Sequence, residues 1–204
     1  MLVPSGNDAA QALCEFVGQK MVDNQDERIR EKSKEDVRAE AKENGISEDE
    51  VEDVFLTDKD QAFIRLMNLK AEELGCENTN FTNPHGLADD EFASDDEYSC
   101  AMDIAIITKY AMQNDLFRQI VGGGDTVINI ERNGQVTPLE LNSTDILLGN
   151  YEGCIGVKTG NTEIGGPCFS GALLDQNDGC EIYTIVLKSE DETQRFIDTQ
   201  DLFN

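Results

Sequence analysis

Five short segments rich in β-branched and apolar residues follow one another in the last third of the chain, and they constrain the fold more than any other feature. Residues 175–179, between the last two segments, have the composition of a tight hairpin turn, so these two strands should be antiparallel neighbours. Helical patterns lie before and after the run. This order predicts an α/β fold of the α+β sandwich type, in which helices flank an antiparallel sheet. The predicted strands are residues 126–130, 135–139, 153–158, 167–174 and 180–187.

Helices are predicted where apolar residues recur at a spacing of three and four. Buried helices are expected at residues 8–17, at 60–74 and from a cap at Ser99 to about 113, the last being apolar nearly all round. A short helix at residues 115–121 and an acidic helix at 190–203 complete the set. The three glycines at 122–124 do not open a helix after a strand, so they predict a linker and not a phosphate-binding loop.

Residues 20–58 are dense in Glu, Asp, Lys and Arg and predict a charged helical insertion. A thin apolar stripe that begins at Ile29 predicts a solvated helix ending near Gly45. Ser47 with Glu50 resembles a capping box that starts a shorter helix. The charge run is a solvated surface or a docking or cation-binding element, and deletion of residues 23–53 is expected to leave the rest of the fold unchanged.

Composition limits the possible functions of this 204-residue chain. Its 39% apolar content supports one packed domain, and a net charge of −26 disfavours nucleic acid as a partner. No apolar run is long enough to span a bilayer, and the first residues do not resemble a signal peptide. Six cysteines without C-x-x-C spacing and a single histidine predict neither a metal site nor a cofactor. The cysteines are free core thiols or form one or more disulfides.

The stretch at residues 151–160, Y-E-G-C-I-G-V-K-T-G, reads as a strand with Lys158 at its end. The lysine charge, the Thr159 hydroxyl and the bare backbone of Gly160 suit an extended peptide whose negative terminus must be held. Lys-Thr-Gly is also an ordinary turn into solvent, so the tripeptide alone leaves both interpretations open. His85 lies between proline and glycine in a loop and is interpreted as a structural residue.

Several short motifs together carry a resemblance that none of them carries alone. They are Pro4-Ser5-Gly6-Asn7, Asn83-Pro84-His85-Gly86-Leu87, Tyr98-Ser99 with Asp103, Tyr151-Glu152-Gly153 before Lys158-Thr159-Gly160, and Arg195 in the final helix. In this order they resemble the penicillin-recognising serine D-alanyl-D-alanine carboxypeptidases, peptidase family S11. The resemblance runs nearly end to end. It implies a β-lactamase/transpeptidase-like fold with a helical subdomain, of which residues 1–204 form a partial catalytic domain.

What the resemblance implies is acyl transfer on peptidoglycan stem peptides during cell-wall remodelling. A serine attacks the peptide bond before a terminal D-alanine, and water then releases the acyl group. Ser5 would relay a proton to the leaving amine, and Asn7 would hold the substrate amide. Lys158 would supply positive charge that keeps neighbouring amines ready to lose a proton.

The resemblance also implies a binding side of the cleft. Thr159 and Arg195 would hydrogen-bond the substrate carboxylate, Gly160 would pair with the substrate backbone, and the backbone N–H of Asn161 would form half of an oxyanion hole. Partners of the complete enzyme would be a pentapeptide ending in D-Ala-D-Ala and, as acylating inhibitors, β-lactams. The complete protein would act in the cell envelope, outside the cytoplasm.

One motif of the family is missing. No serine of this chain has lysine three positions on, so the Ser-x-x-Lys nucleophile motif is absent, and the family's N-terminal strands and nucleophile helix are not recognisable. The chain alone is therefore expected to be inactive, with apolar surface exposed where a helix is lacking. The alternative function is a non-catalytic module of the same fold that binds peptidoglycan peptides.

Overall fold

Helices precede the strands along the chain, and one further helix follows them. The computed structural model describes residues 1–30, 34–47, 55–87 and 96–204. In these ranges the helices are α1 (Asn7–Asp23), α2 (Lys34–Asn44), α3 (Lys59–Glu73), α4 (Ala101–Ala111), α5 (Asp115–Val121) and α6 (Gln194–Phe203). The strands are β1 (Thr126–Arg132), β2 (Gln135–Leu141), β3 (Cys154–Thr162), β4 (Gly166–Leu174) and β5 (Glu181–Val186). This arrangement confirms the predicted fold class.

The strands form two antiparallel sheets, a hairpin of β1 and β2 and a three-stranded sheet in the order β3-β4-β5. The predicted hairpin between the last two strands is confirmed. Strand β3 is longer than predicted, because Lys158 lies fifth of its nine residues and the strand continues to Thr162. The prediction that Lys158 ends the strand is therefore wrong. The residues after it stay in the ladder, where Gly160 pairs with Cys168 and Thr162 with Gly166.

Helices cover both faces of the three-stranded sheet. On one face Phe169 of β4 packs against Phe196 of α6, with the ring centroids 5.0 Å apart. On the other face Ala172 of β4 joins Met112 and Val121, near the ends of α4 and α5. The predicted alternation along β3 is interrupted, because the register shifts between Cys154 and Gly156: Cys154 packs against the Phe169 cluster, whereas Gly156 pairs with Ala172 on the other face. The sheet is thus the middle layer of a sandwich, and a buried Phe in it contributes about 1.5–3 kcal/mol.

Helix α1 runs to Asp23, six residues beyond its predicted end, because its second half packs on α3. The two helices approach so closely at Gly18 that a Cβ there would lie 1.8 Å from the carbonyl oxygen of Lys59. Only glycine fits at this crossing. Asp58 caps α3 by accepting from the amide of Gln61, and Gly75 follows the helix with φ +80°, as its predicted end requires.

The exposure of individual side chains corrects the prediction that α1 and α4 are buried helices. Phe16 of α1 is 61% exposed and Met102 of α4 is 69% exposed, so neither helix is buried all round. Only one side of α4 faces the sheet, and its buried residues are the polar pair Asp103 and Thr108. The predicted cap is also wrong, since Cys100 holds the N-cap position of α4.

The end of the chain differs from its prediction as well. Helix α6 begins at Gln194, four residues later than expected, because the backbone amides of Thr193 and Gln194 turn onto the Asp191 carboxylate before the helix starts. Within residues 1–30, 34–47, 55–87 and 96–204, no helix is both long enough and apolar enough to cross a bilayer.

The residues at the two ends of the predicted charged insertion pack against each other and against the core. Ile29 is fully buried and packs with Met21 and Ala62, so it belongs to the core and not to a solvated stripe. Arg30 forms an antiparallel bridge with Phe55, which brings the two ends of the insertion together. Residues at both ends of the predicted insertion therefore pack with the core.

Inside the insertion, α2 ends just before Gly45, which has φ +66°, and this end is as predicted. The helix expected to start at Ser47 falls largely on residues 48–54, which lie outside the described residues. All six cysteines are free thiols. The core position predicted for most of them holds only for Cys14 and Cys76, which are buried.

An apolar groove of about 750 Å³ lies between α3, α4 and α5. Its walls include Met67, Leu116 and Phe117, and Leu116 is 64% exposed. Leu2 lines this groove and also the cleft described below, so the two cavities adjoin. Exposed apolar surface was expected of this chain, and the groove is where the described residues present much of it.

We expect replacement of residues 31–54 by a short Gly-Ser turn to leave the melting temperature within about 2 °C, because the Arg30–Phe55 bridge already joins the ends. Deletion of residues 23–53 should destabilise the protein, since it removes the buried Ile29. Ile29→Ala is the matched point variant and should cost about 2–5 kcal/mol. Thermal and urea unfolding followed by circular dichroism measure these effects. Equal stability of the two deletion variants would contradict a core position for Ile29.

We expect Leu116→Glu to reduce aggregation of the purified chain, because it places a charge in the exposed apolar groove. Leu202→Glu is the control, because Leu202 is 57% exposed on α6 and its replacement by glutamate adds the same charge away from the groove. Static light scattering against protein concentration is the measurement. If both variants reduce aggregation equally, net charge and not the groove is responsible.

Candidate active site

A cleft of about 610 Å³ opens between the N-terminal end of α1, strand β3 and the start of α6. The chain reaches it from widely separated positions, because Ser5 and Lys158 are 153 residues apart in sequence. The structure places all seven residues singled out from the sequence on its walls. They are Ser5, Asn7, Lys158, Thr159, Gly160, Asn161 and Arg195.

Ser5 and Lys158 are in direct contact. The Nζ atom of Lys158 donates to Oγ of Ser5 at 2.6 Å and to the carbonyl oxygen of Thr159 at 2.6 Å. Ser5 has φ +55°, a left-handed conformation that is uncommon for a residue with a side chain. The register of β3 fixes the lysine, and the turn before α1 fixes the serine.

The Lys158 amine is held where its charge is disfavoured. Burial and, to a smaller extent, the positive charge of Arg195 together lower its pKa from the ordinary 10.5 to about 8. At neutral pH the amine remains mostly protonated, yet a neutral fraction is accessible. It can therefore supply positive charge to the cleft or take up a proton.

Arg195 is buried, with only 7% of its surface exposed. Its Nη1 atom donates to the carbonyl oxygen of Gly160 at 3.0 Å, and its guanidinium lies 4.9 Å from the ring centroid of Phe196. The buried Nε–H has no acceptor among the described residues. A largely buried guanidinium on the wall of a cleft is suited to hold an anion, and a carboxylate matches its planar shape.

Thr159 and Asn161 lie on either side of Gly160, and each is fixed by a residue that sequence reasoning missed. The hydroxyls of Thr159 and Thr144 are 2.6 Å apart, and the amide of Asn161 donates to Oε1 of Glu192 at 2.7 Å. Thr144 and Glu192 also line the cleft. Neither belongs to a recognisable motif, since one lies in a loop and the other in an acidic run before α6.

Two further predicted residues are less tightly defined by contacts. Asn7 begins α1 and lines the cleft beside Ser5. His85 also lines the cleft, but its Nδ1 atom accepts from the amide of Leu87 at 3.1 Å, which agrees with a structural interpretation. The outer edge of β3 is not paired with any strand in the part of the chain that the structure describes. An extended peptide can pair with such an edge.

Residues 55–191 match a family model described as D-alanyl-D-alanine carboxypeptidase. The chain belongs to the peptidase S11 family. Among curated relatives, the D-alanyl-D-alanine carboxypeptidase DacF of Bacillus subtilis is 34% identical over 108 residues, which cover 53% of this chain and 26% of DacF. The chain thus spans about a quarter of the length of this relative.

Solved structures of this family share the fold. The DD-transpeptidase of Streptomyces K15 superimposes with a TM-score of 0.66 at 28% identity, over 72% of this chain and 54% of that one. Penicillin-binding protein D2 of Listeria monocytogenes, in a cefotaxime-bound form, superimposes with a TM-score of 0.58 at 27% identity. That match covers 71% of this chain and 54% of the Listeria chain. The S11 assignment and the predicted β-lactamase/transpeptidase-like fold are confirmed.

We expect Arg195→Gln to raise the pKa of Lys158 towards its ordinary value, because the substitution removes the neighbouring positive charge while burial remains. Titration of the lysine side chains by NMR measures the change. Arg118→Gln is the control, since Arg118 pairs with Glu181 at 2.8 Å and does not line the cleft. The same pKa of Lys158 in all three proteins would show that Arg195 does not act on it.

Proposed function

We propose that this chain provides the peptide-recognition side of a serine-type D-alanyl-D-alanine carboxypeptidase that acts on peptidoglycan stem peptides in the cell envelope. The largely buried guanidinium of Arg195, which lines the cleft, is the observation that carries the proposal. It lies beside Thr159 and Gly160 in a cleft that also holds the Lys158 amine. Two cations and a hydroxyl in one cleft match the terminal carboxylate of a peptide.

The bound peptide would lie along the outer edge of β3. Its carboxylate would accept hydrogen bonds from Thr159 and Arg195, and its backbone would pair with the strand at Gly160. The backbone N–H of Asn161 would donate to the carbonyl oxygen of the reacting bond. Glu192 supports this geometry, because its Oε1 atom accepts a hydrogen bond from the Asn161 side chain and so fixes Asn161 in the cleft.

The remaining cleft residues have roles in proton transfer. Ser5 would relay a proton from the attacking nucleophile to the leaving D-alanine amine, and Asn7 would hold the substrate amide. Lys158, at 2.6 Å from Ser5, would polarise the serine hydroxyl and stabilise the negative charge of the relay. β-Lactams, which acylate the serine of such enzymes, are the expected inhibitors of the complete enzyme.

A second candidate function is a module that binds such peptides without cleaving them. It is favoured by one observation, that no serine in the sequence has lysine three positions on. The two functions share the same recognition geometry and differ in turnover. Release of D-alanine from a peptide ending in D-Ala-D-Ala separates them, whereas binding of that peptide tests what they share.

We expect an N-acylated peptide ending in D-Ala-D-Ala to bind, and Arg195→Gln to weaken its binding by about 10- to 100-fold, because a hydrogen bond to a charged group contributes about 1.5–3 kcal/mol. Isothermal titration calorimetry with the wild-type and variant chains is the measurement. The same peptide with a C-terminal amide should bind about as weakly to the wild-type chain as the acid does to Arg195→Gln.

Arg118→Gln is the matched control for this experiment, since it removes an arginine outside the cleft and should leave peptide binding unchanged. Thr159→Val tests the second contact and removes a hydroxyl with little change in side-chain shape. Equal affinity of the wild-type chain for the peptide acid and the peptide amide would contradict the proposal, because the cleft would then not recognise the terminal carboxylate.

A further inference from the structure

The contact between Ser5 and Lys158 has the geometry of a nucleophile with its own base. The two side-chain atoms are 2.6 Å apart, within the range in which a lysine nitrogen can take the serine proton. The second acceptor of the lysine is the carbonyl oxygen of Thr159, also at 2.6 Å. When the amine is neutral, it can keep its bond to Thr159 and turn its lone pair towards Oγ of Ser5.

The backbone around Ser5 also favours a reactive hydroxyl. Ser5 has a left-handed φ of +55° and ends a turn in which the amide of Gly6 donates to the carbonyl oxygen of Met1 at 3.1 Å. Backbone conformations of this kind cluster at reactive sites. The helix α1 then starts at Asn7, and its N-cap residue Gly6 has no side chain to satisfy the first amides. The positive end of a 17-residue helix therefore begins two residues beyond the serine and favours negative charge there, although the carboxylate of Asp8, which accepts from the amide of Ala9, offsets part of this effect.

We propose that Ser5 is a covalent nucleophile, with Lys158 as its general base, and that it accepts acyl groups from activated carboxylic esters such as aryl esters. This activity is separate from the relay role of Ser5 in the proposed peptidase. It needs only residues of this chain, whereas the peptidase needs a Ser-x-x-Lys motif that the sequence lacks.

The reaction balances with the groups that are present. Neutral Lys158 takes the Ser5 hydroxyl proton while Oγ bonds to the ester carbonyl carbon, and the bond from that carbon to the aryl oxygen breaks to release a phenolate. The ammonium of Lys158 returns its proton to solvent. In hydrolysis, Lys158 takes a proton from water, the hydroxide adds to the acyl carbon, and Oγ leaves and regains the proton.

The leaving group sets the substrate class. A phenolate departs without being protonated, whereas the amine of a peptide bond must receive a proton as it leaves. In the peptidase role Ser5 itself would deliver that proton, and a serine that is bonded to the acyl group cannot do so. We therefore expect aryl esters, and not peptides ending in D-Ala-D-Ala, to acylate this chain.

The test is a burst experiment with p-nitrophenyl acetate on the full 204-residue chain, followed by mass spectrometry of its peptides. One equivalent of p-nitrophenolate should be released quickly, with the acetyl group on Ser5. The burst rate should rise with pH through a midpoint near the pKa of about 8 that burial gives Lys158. The other titratable groups that line the cleft belong to Met1 (its α-amino group), His85, Glu192 and Arg195. The variants described next separate the effect of Lys158 from theirs.

Ser5→Gly removes the hydroxyl without straining the backbone, because glycine readily adopts a positive φ. It should lower the burst rate by at least about 100-fold, whereas Ser5→Cys, which keeps a nucleophile, should still be acylated. Lys158→Arg keeps the positive charge but cannot lose its proton, so the burst rate should fall by about 100-fold and its rise near pH 8 should vanish.

Matched controls are Ser99→Ala and Lys188→Arg, which change a serine and a lysine outside the cleft and should leave the burst unchanged. Circular dichroism confirms that each variant is folded. Three results overturn the proposal: no burst above buffer, a burst that survives in Ser5→Gly, or an acetyl group on Lys158 as an amide that resists hydroxylamine. None of them bears on peptide recognition, which the Arg195 variants test.

Discussion

The pairing of β3 with β4 is the interaction on which the rest of the structure depends. It holds Lys158 opposite Ser170 and Gly160 opposite Cys168, and so it sets the position of every cleft residue on β3. Strand β4 carries Ala172 and Phe169, which pack into helices on opposite faces of the sheet. A slip of one residue would exchange these faces and turn the lysine away from Ser5. Packing and chemistry are therefore fixed by one ladder.

Electrostatics gives the cleft its character. The chain carries a net charge of −26, yet Lys158 and Arg195 lie close enough within this cleft for one to lower the pKa of the other. These two neighbouring cations repel each other, and their partial or full burial removes water that would screen them. In the proposed function a bound carboxylate would relieve both costs. The same lowered pKa gives the lysine access to the neutral form that a base requires.

The outcome for individual residues shows how far the sequence can be read. The hairpin at residues 175–179 and the short helix α5 follow local patterns, and these predictions are confirmed. The prediction that Ile29 lies on a solvated stripe was wrong. Charged residues around it in sequence do not reveal that its side chain packs in the core beside Met21. The prediction that α4 is buried nearly all round was also wrong, for the opposite reason. An apolar pattern shows that a helix can be buried but not which of its sides meets a neighbour, and Met102 remains exposed.

By itself the sequence determined the kinds of element, the order of the motifs and the family, because these depend on local periodicity and on residues adjacent in the chain. It also determined the seven cleft residues, through the motifs that contain them. Only the tertiary structure decided that Ser5 touches Lys158, that Arg195 is buried at the wall of the cleft, and that Thr144 and Glu192 join the site. Contacts between residues far apart in sequence leave no local pattern. They arise only when the sheet register and the helices packed on it bring those side chains together.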